Sequence, residues 1–454
     1  MNARLLLMIL AALEICGCAG FSKDGGFNDV AQATQTHLAK DLKWPRTDAE
    51  QAKVSAQVAE LLAHPLSQDD AVQIALLNNR GLRASFDELG ISEADLVQSG
   101  RLRNPSFDLR HASAAGQYDI EETLSFNVLS LLTMPYAHQI EKRRFAQLQN
   151  AVVLSVMRLA TETRATFIAA VAARQSVDHM REVVAAAETS AELARSMVAA
   201  GNWNSVDEAR ERIFHVDAYR VMAQAGLNEK AASEKLTRLM GLPDTESGGR
   251  PAFELADRLP ELPPSIESLP DVEAAILQNR IDLRLQRLRL DELRRSLKLT
   301  QATRFVNVLD AGPTRVRQGT RDEPYETGYV VTLEVPIFDG GSIRVKKSAA
   351  IYAQSVDRFA QAAIDARSQI RQAYATYRAS FDIAKQQRDE VVPLRKTIAE
   401  QNLLRYNASL IGIFELLADA REQFLSSDAY IHSVRDFWIA KSELDAALIG
   451  DSAP

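Results

Sequence analysis

An internal repeat constrains this chain more than any other feature of its sequence. Ala209-Arg210-Glu211 followed by Asp217-Ala218-Tyr219 returns, at a constant offset, as Ala420-Arg421-Glu422 followed by Asp428-Ala429-Tyr430. A second echo joins the run Ala-Leu-Leu-Asn-Asn-Arg at 75–80 to Ala-Ile-Leu-Gln-Asn-Arg at 275–280. Two tandem halves must therefore build the same supersecondary unit. A unit whose apolar face is completed only by its copies predicts a stacked or ring-like assembly.

The composition favours long helices over a globular enzyme core. Of the 454 residues, 46% are hydrophobic but only 6% are aromatic, so close packing must use small side chains. The net charge of -7 argues against nucleic acid as a partner, because phosphates require a basic face.

The sequence also lacks the signatures of common active sites. It contains no Gly-x-Ser-x-Gly elbow, no phosphate-binding Gly-x-x-x-x-Gly-Lys-Ser/Thr, no His-Glu-x-x-His and no Cys-x-x-Cys. Its seven histidines show no helical spacing of metal ligands. We therefore expect no enzyme, no catalytic residue, no metal site and no cofactor-binding site.

The N-terminal residues predict an export signal. Arg4 precedes the apolar run Leu5–Leu13, which is far shorter than the roughly 20 residues of a membrane-spanning helix. Ile15 and Gly17 stand three and one before Cys18, an arrangement that resembles a bacterial lipobox. We interpret 1–17 as a lipoprotein signal peptide, Cys18 as the lipidated residue and 18–65 as the lipidated segment. The alternative is an ordinary signal peptide with an incidental cysteine.

Four stretches alternate apolar and polar residues as membrane strands do. Two lie in the first half, at 106–110 and 120–128, and two in the second half, at 305–309 and 329–335. Polar connections, 112–119 and 312–328, separate the members of each pair, so each half offers one hairpin. Four strands cannot close a barrel, because small closed barrels begin at about 8 strands, and several chains must share one. Soluble edge hairpins on a helical domain are the alternative.

Helical patterns fill most of what remains. No proline or glycine interrupts 136–200, and its counterpart 342–408 is broken only at Pro393. Pro135 and Pro336 are expected to end the second strand of each half. The predicted plan is a first repeat at 66–240 with a hairpin at about 104–130, a linker at 241–270, and a second repeat at 271–450 with a hairpin at about 304–338.

The chain resembles the TolC family of outer membrane efflux proteins from about residue 66 to 450. The resemblance rests on the repeated Asn-Asn-Arg opening, on Val-Thr-Leu-Glu-Val-Pro-Ile-Phe-Asp-Gly-Gly at 331–341, and on Arg-Tyr-Asn-Ala at 405–408 with Phe-Glu-Leu-Leu at 414–417. It implies a mainly α fold in which long helical hairpins form a periplasmic α-barrel. It also implies a homotrimer whose chains contribute four strands each to a twelve-stranded β-barrel in outer membrane lipid.

The resemblance further implies where partners bind. The turns 201–204 and 409–414 would form the periplasmic tip that meets an adaptor protein and, through it, an inner-membrane pump; their residues are Gly201, Asn202, Ser409 and Gly412. Simple helix-to-helix turns without a partner are the alternative reading. Family members carry glycine where this chain has Ser409, so the geometry of the second turn is left open.

Charged side chains near the tips are candidates for a gate, because rings of charge commonly set selectivity in a pore. The candidates are the carboxylates Asp207, Glu208, Glu415 and Asp419 and the cations Arg195 and Arg405. The alternative is a solvated outer face. The sequence thus predicts a passive efflux channel, with a lipid-anchored periplasmic coiled-coil scaffold as the rival. Whether the substrates are drugs or heavy metals stays open.

Overall fold

The computed structural model describes residues 20–243, 253–266, 280–320 and 322–451. Long helices dominate the chain, and four strands interrupt them in two pairs. In chain order the elements are α1 (Phe27–Leu38), α2 (Asp48–Leu61), α3 (Gln68–Asn78), α4 (Arg80–Ser99), β1 (Ser106–Ala114), β2 (Gln117–Asn127), α5 (Val128–Ala199), α6 (Ser205–Leu239), α7 (Ile281–Ala302), β3 (Leu309–Gly319), β4 (Glu326–Leu333), α8 (Ser342–Gln386), a π-helical turn (Gln387–Val391), α9 (Val392–Asn407) and α10 (Ile413–Ile449).

The chain divides into two compact units. The first contains Met1–Val30, Ser85–Val152 and Asp282–Ile364, and with them all four strands; the second contains Ala31–Ala84, Val153–Ile281 and Asp365–Pro454. Within the described ranges, no helix combines the length and the hydropathy needed to cross a bilayer.

The four strands form one antiparallel sheet in the order β1-β2-β3-β4. A two-residue turn joins β1 to β2, and both of its residues, Ala115 and Gly116, have positive φ, as a type I′ hairpin requires. The pairs Phe107↔Leu124, Phe126↔Ala311 and Ala311↔Val331 place one apolar residue or more of each strand on the same face. The predicted alternation is therefore a real two-faced sheet.

The first long helix begins earlier than the sequence predicted. Pro135 does not end a strand; it lies inside α5, which starts at Val128 directly after β2. Asn127 explains the boundary, because its side-chain oxygen accepts a hydrogen bond from Ser130 N at 2.6 Å, as a helix N-cap does. The same side chain donates to Asp310 at 2.8 Å, which ties the helix start to β3.

The third strand also differs from its prediction. The expected strand at 305–309 is wrong, because β3 runs from Leu309 to Gly319 and includes most of the stretch read as a connection. Gly312 and Pro313 suggested a loop, since both residues weaken a strand interior. The register nevertheless pairs them with Val330 and Tyr329 of β4, while β2 pairs with the residues on either side.

The second unit packs its core around the repeated opening motif. Asn78 donates to the carbonyl oxygens of Met240 and Gly241, at 3.1 and 2.7 Å, and so satisfies the C-terminal end of α6. In the second half Arg280, which is fully buried, donates to Ala447 O in the last turn of α10 at 2.8 Å. The motif therefore closes the returning helix in each half.

The described part of the expected linker, 253–266, lies against this core. Phe253, Leu255 and Leu262 are buried there, and Leu66 forms an isolated β-bridge with Leu255. Trp438 adds a hydrogen bond from its ring nitrogen to Pro260 O at 3.1 Å. A segment rich in proline is thus held by apolar burial and by backbone pairing.

The predicted interruption at Pro393 takes the form of a π-helical turn. Gln387–Val391 adopts this wider winding immediately before the proline, and α9 resumes at Val392. Proline has no N–H to donate to the preceding turn, and a π-bulge accommodates that loss without ending the helix.

Candidate functional site

One face of the sheet in the first unit carries exposed apolar side chains towards the start of β1 and the end of β4, with the Glu122–Arg315 ion pair beyond them. Phe107, Leu109, Tyr329, Val331 and Leu333 are all more than half exposed, and Tyr329 reaches 83%. The opposite face carries hydroxyl, amide and carboxylate groups, among them Thr123 and Thr314, whose hydroxyls lie 2.8 Å apart. Among the described residues, these exposed apolar side chains are left largely uncovered.

The sheet ends in two edge strands. β1 pairs only with β2, and β4 only with β3, among the described residues. Each edge leaves a row of backbone N–H and C=O groups available for another strand, an arrangement that proteins normally cover or pair. The strands are 8 to 11 residues long, the length of a tilted transmembrane β-strand.

The two helix tips in the second unit share one backbone geometry. At the first, Gly201 has φ +73°, Gly201 N donates to Val198 O, and Asn202 N donates to Met197 O. At the second, Ser409 has φ +60°, Ser409 N donates to Tyr406 O, and Leu410 N donates to Arg405 O. Both are Schellman-type helix ends. The turn left open by the sequence therefore matches its counterpart, with serine in a left-handed conformation that favours glycine.

The predicted charges at the first tip are divided. Asp207 lies in the first turn of α6. It accepts hydrogen bonds from Asn204 at 2.7 Å and from Arg210 at 3.1 Å, and so belongs to the helix cap. Within the described part of the chain, neither Arg195 nor Glu208 has an oppositely charged side chain within 4 Å. Arg195 is exposed and Glu208 is half-buried.

The predicted charges at the second tip lie together. Asn402, which is buried, donates to Asp419 and accepts from Arg405 at 3.2 Å. Arg405 also lies 3.7 Å from Glu415. One amide thus links two of the candidate gate charges, and Arg405 extends the connection to Glu415 on α10. Gly412 precedes α10 without a side-chain cap, and all four predicted tip-contact residues, Gly201, Asn202, Ser409 and Gly412, are exposed.

Sequence reasoning missed the strongest electrostatic feature of this unit. Glu211 has no exposed surface, accepts a hydrogen bond from Ser190 at 2.6 Å and forms an ion pair with Arg421. The Arg421 guanidinium also lies over the ring of Phe214, 4.5 Å from its centroid. Both charges belong to the Ala-Arg-Glu repeat, but the repeat does not reveal that the arginine of one copy pairs with the glutamate of the other.

A half-buried cluster involves the other repeated segment. Asp428 accepts from Ser176 at 3.1 Å and lies 3.4 Å from His432 Nε2. Burial would raise the pKa of Asp428, but its hydrogen bonds and the charge of His432 outweigh burial and lower it. His432 also lies 2.9 Å from Arg435 through its other ring nitrogen.

Cys18, the predicted lipidation site, lies outside the described residues. Among the residues that the structure does describe, no group of three or more His, Cys, Asp or Glu side chains could hold a metal ion.

Comparisons with known proteins agree on the fold. No protein-family model and no curated protein sequence matches the chain. A membrane protein from Pseudomonas aeruginosa is similar in structure with a TM-score of 0.70 at 17% identity, covering 84% of this chain and 93% of that one. The Campylobacter jejuni CmeC outer membrane channel is similar with a TM-score of 0.69 at 15% identity, covering 93% of this chain and 92% of that one. The outer membrane protein VceC from Vibrio cholerae is similar with a TM-score of 0.68 at 13% identity, covering 87% of this chain and 96% of that one.

At these identities the likeness is one of fold. Long helices that carry a small antiparallel sheet with one apolar face place the chain in the fold class of outer membrane channels. The predicted mainly α fold with a small β part is confirmed.

Proposed function

We propose that this protein is the outer membrane channel of a tripartite efflux system. It would act as a passive homotrimeric conduit that carries substrates from an inner-membrane pump and a periplasmic adaptor protein to the outside. The observation that carries the proposal is the sheet of the first unit, which has one apolar face and two open edges. Its fold is shared with an outer membrane channel, and such a sheet is completed by copies of itself in lipid.

The height of the apolar face supports a membrane location. From Tyr329 to Val335 the exposed apolar side chains span six residues, about 20 Å at roughly 3.4 Å per residue. The outward apolar band of a membrane barrel is about 25 Å tall. Edge strands β1 and β4 of neighbouring copies would pair, and three copies would then close a twelve-stranded barrel.

An exposed seam on α6 supports side-by-side copies of the second unit. Val206, Ile213 and Leu227 recur at multiples of seven residues, Val216 lies between them, and each is about 60% exposed. Exposed apolar residues at heptad spacing are typical of a helix that packs against another in a coiled coil. α8 and α9 offer a second apolar surface through Ile383, Leu394 and Leu404. In a trimer these two surfaces would face each other across the subunit boundary.

The tips are the proposed adaptor surface and gate. Gly201, Asn202, Ser409 and Gly412 are exposed, and Leu410 adds an apolar side chain that is 70% exposed. Asp207, Glu208, Glu415 and Asp419 would each occur three times around the pore, and Arg195 and Arg405 would be their counter-charges. Acidic rings of this kind favour cations. Neutralising Asp419 by Asp419→Asn should reduce cation selectivity in single-channel recordings, and unchanged selectivity would remove Asp419 from the ring.

A lipid on Cys18 would anchor the chain beside the first unit. Four residues later the chain is already held there, because Ser22 N donates to Glu93 at 2.7 Å and Gly26 packs against Phe145. Labelled palmitate should be incorporated by the wild type and not by Cys18→Ser. Equal labelling of both would place the lipid elsewhere.

The channel is tested by purification in detergent, unheated gel electrophoresis and planar-bilayer recording. The proposal expects a trimer that conducts, with a sheet signal that resists heating. A detergent-free soluble monomer would instead identify a lipid-anchored periplasmic scaffold without a pore. An epitope inserted at 322–325, between β3 and β4, should be accessible on intact cells.

The substrate class needs a cellular measurement. A deletion strain should become more sensitive to the exported compounds, and heavy-metal salts compared with a panel of drugs would separate the two open possibilities. Unchanged sensitivity to both would argue against an efflux role.

A further inference from the structure

The base of the sheet in the first unit carries an excess of positive charge. Residues 293–310 and 333–347, which lead into β3 and away from β4, contain seven basic but only three acidic residues, although the whole chain has a net charge of -7. The three carboxylates have neutral partners: Asp310 accepts from Asn127, Glu334 from Asn307, and Asp339 from the backbone N–H of Gly341. They therefore leave most of the cations uncompensated.

An open cleft lies beside this stretch of the chain, and Arg344 is the cation that lines it. Among the described residues, Arg294, Lys298, Lys346 and Lys347 are exposed and have no carboxylate within 4 Å. The cleft has a volume of about 360 Å³ and is lined by Leu129, Thr133, Leu299, Thr303, Asp339 and Arg344. Lys298 is next to Leu299 in the chain. Lys347 lies one helical turn beyond Arg344, on the same side of α8.

Local packing fixes the shape of this cleft. Arg344 donates to the carbonyl oxygen of Arg304 at 3.1 Å and to Asn307. Gly341 allows the approach, since a Cβ there would lie 2.1 Å from Arg304 O and its φ is +75°. The cleft is therefore a built feature of the strand-to-helix passage. The cations at the start of α8 do not serve helix stability, because positive charge in the first turns of a helix opposes its dipole.

Apolar side chains stand next to the cations. Phe338 is fully exposed at 101%, Ile337 reaches 77%, and Val335 continues the apolar face of the sheet. An apolar surface that ends at a row of unpaired cations matches the chemistry of an anionic lipid, whose acyl chains and phosphate are separated in the same way. A carbohydrate partner would leave Ile337 and Phe338 without a matching surface.

We propose that this cleft binds the phosphate headgroup of an anionic phospholipid, such as phosphatidylglycerol, in the membrane leaflet at the base of the sheet. The proposal rests on the proposed membrane location of the sheet. Arg344, Lys298 and Lys347 would face the phosphate, and Asp339 would accept from the glycerol hydroxyls. The acyl chains would lie along Val335 and Phe338.

The test is lipid retention by the full-length protein. Wild type is reconstituted in phosphatidylcholine in which about one lipid in ten is phosphatidylglycerol. The protein is then extracted in mild detergent, and its bound lipids are quantified by mass spectrometry. Lys298→Gln/Lys347→Gln is compared with Lys230→Gln/Lys385→Gln, which removes the same charge from exposed positions in the second unit. Glutamine is a good helix former, so both variants should fold.

Wild type and the control should retain phosphatidylglycerol well above its bulk proportion. Lys298→Gln/Lys347→Gln should lose roughly tenfold or more of that preference, because each cation near anionic lipid contributes on the order of 1 kcal/mol. Retention at bulk proportion by the wild type, or equal losses in both double variants, would overturn the proposal. Conductance of the same proteins in pure phosphatidylcholine tests the channel function separately from the lipid site, because a pore without this lipid site would still conduct.

Discussion

Replacing Arg421 by methionine isolates the buried ion pair between the two halves. Arg421→Met keeps the length and the apolar stem of the side chain and removes the charge that faces Glu211. Glu211 would remain fully buried, with the Ser190 hydroxyl at 2.6 Å as its one remaining hydrogen-bond donor among those described above. Removing one partner of a buried ion pair typically costs 3–5 kcal/mol. We expect about 3 kcal/mol here, because Ser190 still donates and the Arg421 side chain is 24% exposed.

The repeat supplies the matched control. Arg210 occupies the same position in the first copy, but its side chain is 59% exposed and it pairs at the surface with Asp207. Exposed pairs contribute about 0–1 kcal/mol, so Arg210→Met should change stability little. Glu211→Gln combined with Arg421→Met should recover part of the loss, because the buried charge is then gone.

Hydrogen–deuterium exchange of the purified protein measures the local opening of α6 and α10. A loss of about 3 kcal/mol corresponds to roughly 100-fold faster exchange at amides of 205–215 and 413–425. If Arg421→Met and Arg210→Met accelerate exchange equally, the buried pair does not stabilise this part of the unit. If Arg421→Met exchanges as fast with Glu211→Gln as without it, the faster exchange is not caused by the unpaired buried charge of Glu211.

Three further changes test the local geometry. Ser409→Gly should stabilise its tip by about 0.5–1 kcal/mol, because glycine adopts the left-handed φ without strain. Gly201→Ser should destabilise the other tip by about the same amount. Hydrogen–deuterium exchange at the amides of each tip measures both effects. Gly312→Ala should abolish trimers on unheated gels, because its Cβ would lie 1.8 Å from a backbone oxygen of β2. Gly328→Ala is the control and should be tolerated, because its Cβ would lie 3.6 Å from its nearest neighbour, a methyl carbon of Thr314. Asp428→Asn should destabilise the protein at neutral pH. Because the pKa of Asp428 is lowered in the folded state, the difference in stability between wild type and variant should shrink as the pH falls below the ordinary Asp pKa. Unfolding midpoints measured over a pH series test this.

Patterns with a strong period were predictable from the sequence, and boundaries set by single side chains were not. The alternation in β2 and β4 and the uninterrupted runs of α5 and α8 follow directly from residue spacing. The start of α5 depends on the side chain of Asn127, and β3 continues through Gly312 and Pro313 because strands on both sides hold it. Tertiary pairing overrode a loop signal there.

The candidate site divides in the same way. The tip charges near Arg405 and Asp419 could be selected from the sequence, because they lie close to a turn that the repeat located. Glu211 could not be selected, because its burial depends on how α5, α6 and α10 pack around Ser190 and Phe214. Charged residues on helices are usually exposed, so only the packed structure distinguishes this one.

The repeat and its exceptions locate where the two halves differ. The serine that replaces the expected glycine adopts the same turn as Gly201, so the backbone of the tips is not the point of divergence. The Ala-Arg-Glu copies do diverge: Arg421 turns to the buried Glu211, whereas Glu422 pairs at 3.0 Å with Arg395 at the surface. One copy thus supplies the buried acid and the other the base, and a symmetric exchange of the two is impossible. A conformational change that separates α6 from α10 would have to break this pair, whereas one that moves α6 together with α10 would leave it intact.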